Sequence, residues 1–194
     1  MVAEPQGEVP ARLLSVADYE RLTADTDTRY ELIDGELIEM PGPSAYHQRV
    51  LRGVFRILDR FVLDTEAGEV FTAPFNVQLS DEDVLQPDIL FVSINRSDIV
   101  GASRAVGAPD LVVEISSPRT AVEDLGRKRR VYRESGVREY WFIDTEARAA
   151  TIWVLEGRDY DQLPVNDDGH AWSKVVPGFT IDMARVFTDA DQRR

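Results

Sequence analysis

Cysteine is absent from the 194 residues of the chain. Disulfides, thiolate nucleophiles and Cys-type zinc centres are thereby excluded, and a reducing, cytoplasmic setting is the expectation. Histidine is almost as scarce. His47 and His170 stand too far apart to suggest a usual zinc site. Of the 22 basic residues only Lys128 and Lys174 are lysine, and 35 acidic residues leave a formal charge of −13. Such a field opposes sequence-independent coating of DNA, although a locally basic cleft or a bound divalent cation could still receive a phosphate. No apolar run approaches the roughly 20 residues of a membrane-spanning helix. The opening residues lack the basic start and apolar block of a signal peptide, and no membrane partner is expected.

What remains has the balance of a soluble globular protein, 43% hydrophobic and 29% charged. Residues 13–188 are expected to form one domain, residues 1–12 a disordered lead and residues 189–194 a frayed tail. Ser15 caps a short helix over 16–22. Asp34-Gly35 between two apolar-rich runs marks a hairpin, because a type I′ turn needs positive φ at both positions. Ser44 caps the longest helix, 45–65, with Val50, Val54, Ile57 and Phe61 on one apolar stripe. Arg49, Arg52, Arg56 and Arg60 occupy its other side and read as a solvated face.

Three β-prone stretches follow at 70–72, 75–79 and 89–92, then a polar, mobile loop over 93–109. Residues 110–116 form a near-continuous apolar run, the pattern of a strand buried on both faces, which Pro118 ends. Thr120 with Glu123 forms a capping box for a helix to Ser135, which Gly136 stops. Residues 139–144 give a second buried strand, parallel to the first because a helix joins them. A closing meander is expected from 149–155 and a weaker stretch at 174–176. The fold class is α/β in the broad sense, an α+β mixed sheet flanked by helices.

One residue breaks this pattern: Glu114, a carboxylate inside Leu-Val-Val-Glu-Ile. A lone buried carboxylate is costly unless it is paired or holds a cation. Gln86-Pro87-Asp88 precedes the neighbouring strand, so Asp88 and Glu114 can share one Mg²⁺ or Mn²⁺, with the Ile115 carbonyl as a third oxygen. Such an ion polarises a phosphoryl oxygen and lowers the pKa of a bound water. Simpler readings stay open: Asp88 as a turn cap, and Glu114 in a buried ion pair with Lys128.

These residues resemble the PD-(D/E)xK nuclease pattern. The ordered set from Tyr30 to Tyr160 is similar to the Uma-two family of restriction-endonuclease-like bacterial proteins. The similarity rests on Asp34-Gly35-Glu36, His47, Gln86-Pro87-Asp88, the run from Pro109 to Pro118, Asp124 with Lys128, Tyr132, and the run from Gly136 to Trp141. It implies a restriction-endonuclease-like core and a metal-dependent endonuclease acting on DNA. A homodimer would suit a fold that cuts two strands. The general pattern has Lys two residues after the acidic one, where this chain has Ser116. The resemblance implies that the lysine comes from the following helix, which points to Lys128.

The candidate site is therefore Asp88, Glu114, Lys128 and Glu36 for catalysis, with Asp88, Glu114 and Ile115 on the metal. His47, Ser116, Asp124 and Arg127 are candidates for substrate contact. Asp124 with Lys128 could instead be a surface helix pair, Glu36 could face solvent, and His47 could make only a structural hydrogen bond. The rival to an enzyme is a nuclease fold kept as a binding or assembly module.

Overall fold

The computed structural model describes residues 13–116 and 120–192. The expected lead over 1–12, Pro118 as a strand stop, and the last two residues of the expected tail lie outside these. Ser15 caps α1 (Val16–Thr23) through a reciprocal box with Asp18. β1 (Tyr30–Ile33) and β2 (Glu36–Glu39) form the hairpin, with Asp34 at φ 53° and Gly35 at φ 71°, as a type I′ turn requires. α2 (Ala45–Thr65) starts on the Ser44 cap and buries Val50, Leu51, Val54, Leu58 and Val62.

The central sheet has six strands in the order β11-β10-β9-β8-β6-β3. They are β3 (Gly68–Thr72), β6 (Ile89–Ser93), β8 (Leu111–Ser116), β9 (Glu139–Asp144), β10 (Ala149–Glu156) and β11 (Asp159–Leu163). β8 and β9 are parallel neighbours, as their helical connection dictates, and the other pairs are antiparallel. A smaller sheet, β2-β1-β5-β4-β7, adds β4 (Asn76–Gln78), β5 (Val84–Leu85) and β7 (Arg104–Val106).

Strand periodicity divides the core in two. Ile89, Phe91, Leu111, Val113, Ile115, Trp141 and Ile143 point to one face of the large sheet, against α2 and α5 (Met183–Asp191). Leu90, Val92, Val112, Tyr140 and Phe142 point to the other, against the small sheet and α4 (Arg129–Glu134). Gly53 lets α5 approach α2 closely, since a Cβ there would lie 3.1 Å from Val186 Cγ1.

Several elements differ from the sequence expectation. The 93–109 stretch contains a 3₁₀ helix (Ile94–Ile99) and β7, which pairs with β4. No side-chain capping bond forms at Thr120. Its helix comprises a short α3 (Ala121–Glu123), a π turn (Asp124–Lys128) and then α4. Residues 174–176 do not form a strand. The N–H groups of Lys174 and Val175 donate to the buried Glu139 carboxylate, which takes the donors a partner strand would need. The closing hairpin is instead β12 (Ala171–Trp172) with β13 (Thr180–Ile181), and α5 extends through Asp191 where a tail from 189 was expected.

Asp110, fully buried just before β8, ties the sheet to its flanks. Its Oδ2 accepts from the Ser93 N–H at 2.8 Å, and its Oδ1 from Arg138 at 2.9 Å and Arg96 at 3.2 Å. Burial alone would raise its pKa, but these donors outweigh burial and hold it below the ordinary aspartate value. A depressed folded pKa stabilises the fold above the unfolded value of about 3.9 and ceases to do so as pH falls through the folded value. Asp110→Asn is expected to cost about 2 kcal/mol at neutral pH. In urea unfolding the gap to wild type should narrow below pH 4, roughly the unfolded aspartate pKa.

Candidate active site

The strand register creates the site. Ile89 pairs with Val113 across the antiparallel β6–β8 ladder, and extending that register by one residue sets Asp88 opposite Glu114. Asp88 Oδ2 accepts the Ile115 N–H at 2.7 Å, and its Oδ1 lies 3.1 Å from His47 Nε2, in the first turn of α2. The alternation that sends Val113 and Ile115 toward α2 sends Glu114 the other way, into the seam between the two sheets.

In that seam Glu114 meets a residue that the sequence reading passed over. Glu31 of β1 is 1% exposed, and its Oε1 accepts the Gln86 N–H at 2.8 Å. Lys128 Nζ stands between three carboxylates: 2.9 Å from Glu31 Oε2, 3.3 Å from Glu114 Oε1 and 3.5 Å from Asp124 Oδ1. The Glu31 Oε2 contact is an ion pair outside hydrogen-bond geometry, so it is electrostatic rather than directed. Tyr132 donates to Glu114 Oε1 at 2.8 Å. The π turn brings Asp124 and Lys128 inward together, and both are buried. They are thus a core pair rather than a surface one.

The charges follow from this packing. Burial pushes the Glu114 carboxyl well above the ordinary glutamate range; Lys128 opposes the shift, while Asp124, Asp88 and Glu31 add to it. Glu31 is raised for the same first reason. Burial would discharge Lys128, but Glu114, Glu31 and Asp124 outweigh burial and hold it firmly protonated. Burial also works against charge on His47, and the hydrogen bond and charge of Asp88, with the Ile115 carbonyl, raise its pKa regardless.

His47, Asp88, Glu114, Ile115, Asp124 and Lys128 all line one open cavity of about 420 Å³, together with Gln86 and Thr145. Three of the expected residues, Glu36, Arg127 and Ser116, lie elsewhere. Glu36 is mostly exposed and paired with Arg127 at 2.9 Å. Arg127 is also engaged by Asp34, Glu123 and the Ile33 carbonyl, so it braces the β1–β2 turn. Ser116 is buried behind the cavity wall, with its Oγ 3.3 Å from Thr120 Oγ1. Glu31 was detectable by strand periodicity, since it lies two residues before the fully buried Ile33 and so shares its inward face.

The donor set suits a hard divalent cation. Four carboxylates face one lysine and one histidine, and the Asp88 and Glu114 carboxylates and the Ile115 carbonyl are all oxygen donors. Among the described residues no three His, Asp or Glu side chains form a ready ligand set. An ion here would be held by two carboxylates and a backbone oxygen, with water completing its shell, as Mg²⁺ commonly is.

A mixed sheet flanked by helices, with opposed acidic residues on adjoining strands beside a buried lysine, defines a nuclease-like fold. The comparisons with known proteins agree. The profile of the Uma2 family, described as "Putative restriction endonuclease", matches residues 16–184. The chain belongs to this family. It is similar in sequence to the uncharacterized protein sll1609 of Synechocystis sp., with 27% identity over 135 residues that cover 69% of this chain and 76% of that protein. Its fold is similar to the crystal structure of "a putative nuclease belonging to DUF820" from Anabaena variabilis. That match has a TM-score of 0.75 at 16% identity and covers 91% of this chain and 99% of the other. No helix among the described residues is long and apolar enough to cross a membrane.

Removing Lys128 would leave three buried carboxylates facing one another. Lys128→Met is expected to lower stability by about 3–5 kcal/mol. Adding Glu31→Gln should recover part of that loss, and a double-mutant cycle in urea would measure the coupling. Additive effects would show that the contact carries no energy.

Proposed function

We propose that the protein is a Mg²⁺- or Mn²⁺-dependent endonuclease that hydrolyses phosphodiester bonds in DNA. The observation that carries this reading is the register-paired Asp88 and Glu114 at the wall of an open cavity beside the Ile115 carbonyl. When bound, the ion would neutralise charge on the phosphoryl group and supply a nucleophilic water near neutral pH. Asp88 and Glu114 both line the cavity. The Ile115 N–H and His47 fix the Asp88 carboxylate in one orientation. Lys128, held protonated by its three partners, keeps Glu114 in place and presents positive charge at the cavity floor. Its part is thus to position Glu114 and stabilise charge, because deprotonating a water would first require the ammonium to lose its proton. Glu31, rather than Glu36, supplies the additional carboxylate of the cluster.

A second reading keeps the fold as a binding module with little hydrolysis. It is favoured by the closeness of Lys128 to Glu114, which satisfies both charges without an ion. Calorimetric titration of Mn²⁺ and Mg²⁺ separates the two. Wild type should bind one or two ions and nick supercoiled plasmid in their presence. Asp88→Ala and Glu114→Ala should lose both properties. His47→Ala removes a partner of Asp88 but no ligand, and should weaken metal binding by roughly 10–100-fold. Wild type that neither takes up metal nor cuts DNA would leave only the binding module.

A further inference from the structure

The arginines of α2 were read from the sequence as a solvated face, and the packing of α5 gives them another setting. Arg49, Arg52 and Arg56 line a groove of about 360 Å³ with Arg185 of α5. None of the four has an ion pair or hydrogen bond from its guanidinium among the described residues. Most other arginines of the fold are engaged: Arg60 with Asp64, Arg104 with Glu20, Arg130 with Asp34, Arg148 with Asp191, and Arg129 over the ring of Trp153. On a chain with formal charge −13, carboxylates are abundant, yet these four guanidiniums remain unpaired and converge on one concave strip. Asp182 and Asp189 also line it. Asp182 is occupied as the cap of α5, where it accepts the Arg185 N–H.

We propose that this groove is a second nucleic-acid contact, a track for the phosphate backbone separate from the cavity that holds Asp88 and Glu114. It rests on the nuclease reading for the identity of its ligand. The guanidinium fork matches phosphate geometry and stays charged at any working pH. Arg49 to Arg56 spans about 10 Å of helix axis. Over that length a duplex carries about six phosphates, so the strip suits a polymer better than a single anion. At 3.6 residues per turn the three arginines of α2 fall within about 60° of one another, while His47 projects from the far side of the helix. A duplex held here would contact α2 on the side away from the cavity, which suits a grip on DNA that is independent of the reacting phosphate. The groove supplies affinity without sequence information.

The test is binding of a short fluorescein-labelled DNA duplex in EDTA, followed by anisotropy across a salt series. Wild type is compared with Arg52→Gln/Arg56→Gln and with Arg52→Lys/Arg56→Lys. Arg52 and Arg56 are both exposed, so matched melting temperatures confirm intact folds. The glutamine pair should weaken binding about tenfold at low salt and reduce the slope of log affinity against log salt by about 2, and the lysine pair should restore most of both. An unchanged slope in the glutamine variant, or no duplex binding by wild type, overturns the proposal. So does equal competition by poly-glutamate, which would assign the groove to an acidic protein. Calorimetry with Mn²⁺ keeps the two readings apart. Loss of duplex binding with metal uptake intact concerns the groove alone, and arginine-dependent duplex binding without metal uptake would leave the groove standing while the catalytic reading fails.

Discussion

Lys128 is the charge around which the site is assembled. Three acidic side chains from β1, β8 and its own helix converge on its ammonium, and none of them could be buried so completely without it. The small sheet is held to the large one partly by this contact, because Glu31 comes from one and Glu114 from the other. Tyr132 adds a neutral donor to Glu114 Oε1 and the Gln86 N–H adds one to Glu31 Oε1, whereas Glu31 Oε2 has only its ion pair with Lys128. Three carboxyl groups nonetheless share one ammonium. Asp88 lines the adjoining cavity as a fourth.

The same constraint sets a division of labour along β8. Residues that point to α2 are apolar and make the larger core. The residues between them carry Glu114 and Ser116 toward the seam. A strand buried on both faces thus holds a polar pair on one side only, and the register with β6 determines which carboxylate it meets. Asp88 is not deeply buried. Its orientation comes from the Ile115 N–H on Oδ2 and His47 on Oδ1, at the wall of the cavity.

Much of this was legible in the sequence because it depends on local rules. The Ser44 cap and apolar stripe gave α2 with its observed ends, and Asp34-Gly35 gave the hairpin. The interruption at Glu114 pointed to a residue that lines the cavity, and the helical link between β8 and β9 gave their parallel pairing. What escaped depends on distant partners. β5 and β7 are short and acquire strand form only from the small sheet. Residues 174–176 carry a strand-like composition that the Glu139 carboxylate overrides. Glu36 entered the candidate site through the resemblance carried by Asp34-Gly35-Glu36, and Glu31 was passed over although the period of two links it to Ile33. The pairing of Arg127 with Asp34 and Glu36 required the fold to bring the helix over the hairpin.

The π turn has a further consequence. In an unbroken α-helix Asp124, Lys128 and Tyr132 would drift by about 80° around the axis. The wider turn, closed by the Arg129 N–H to the Asp124 carbonyl, holds that drift back, and all three side chains enter the seam. The extra residue acts as a phase adjuster. Deleting one position within 124–128 would let the backbone close into an ordinary helical turn with little strain, yet it would swing the ammonium away from its carboxylates. Chain length and charge geometry are therefore separable here: the segment can tolerate a gap as a helix while losing its meaning as part of the site.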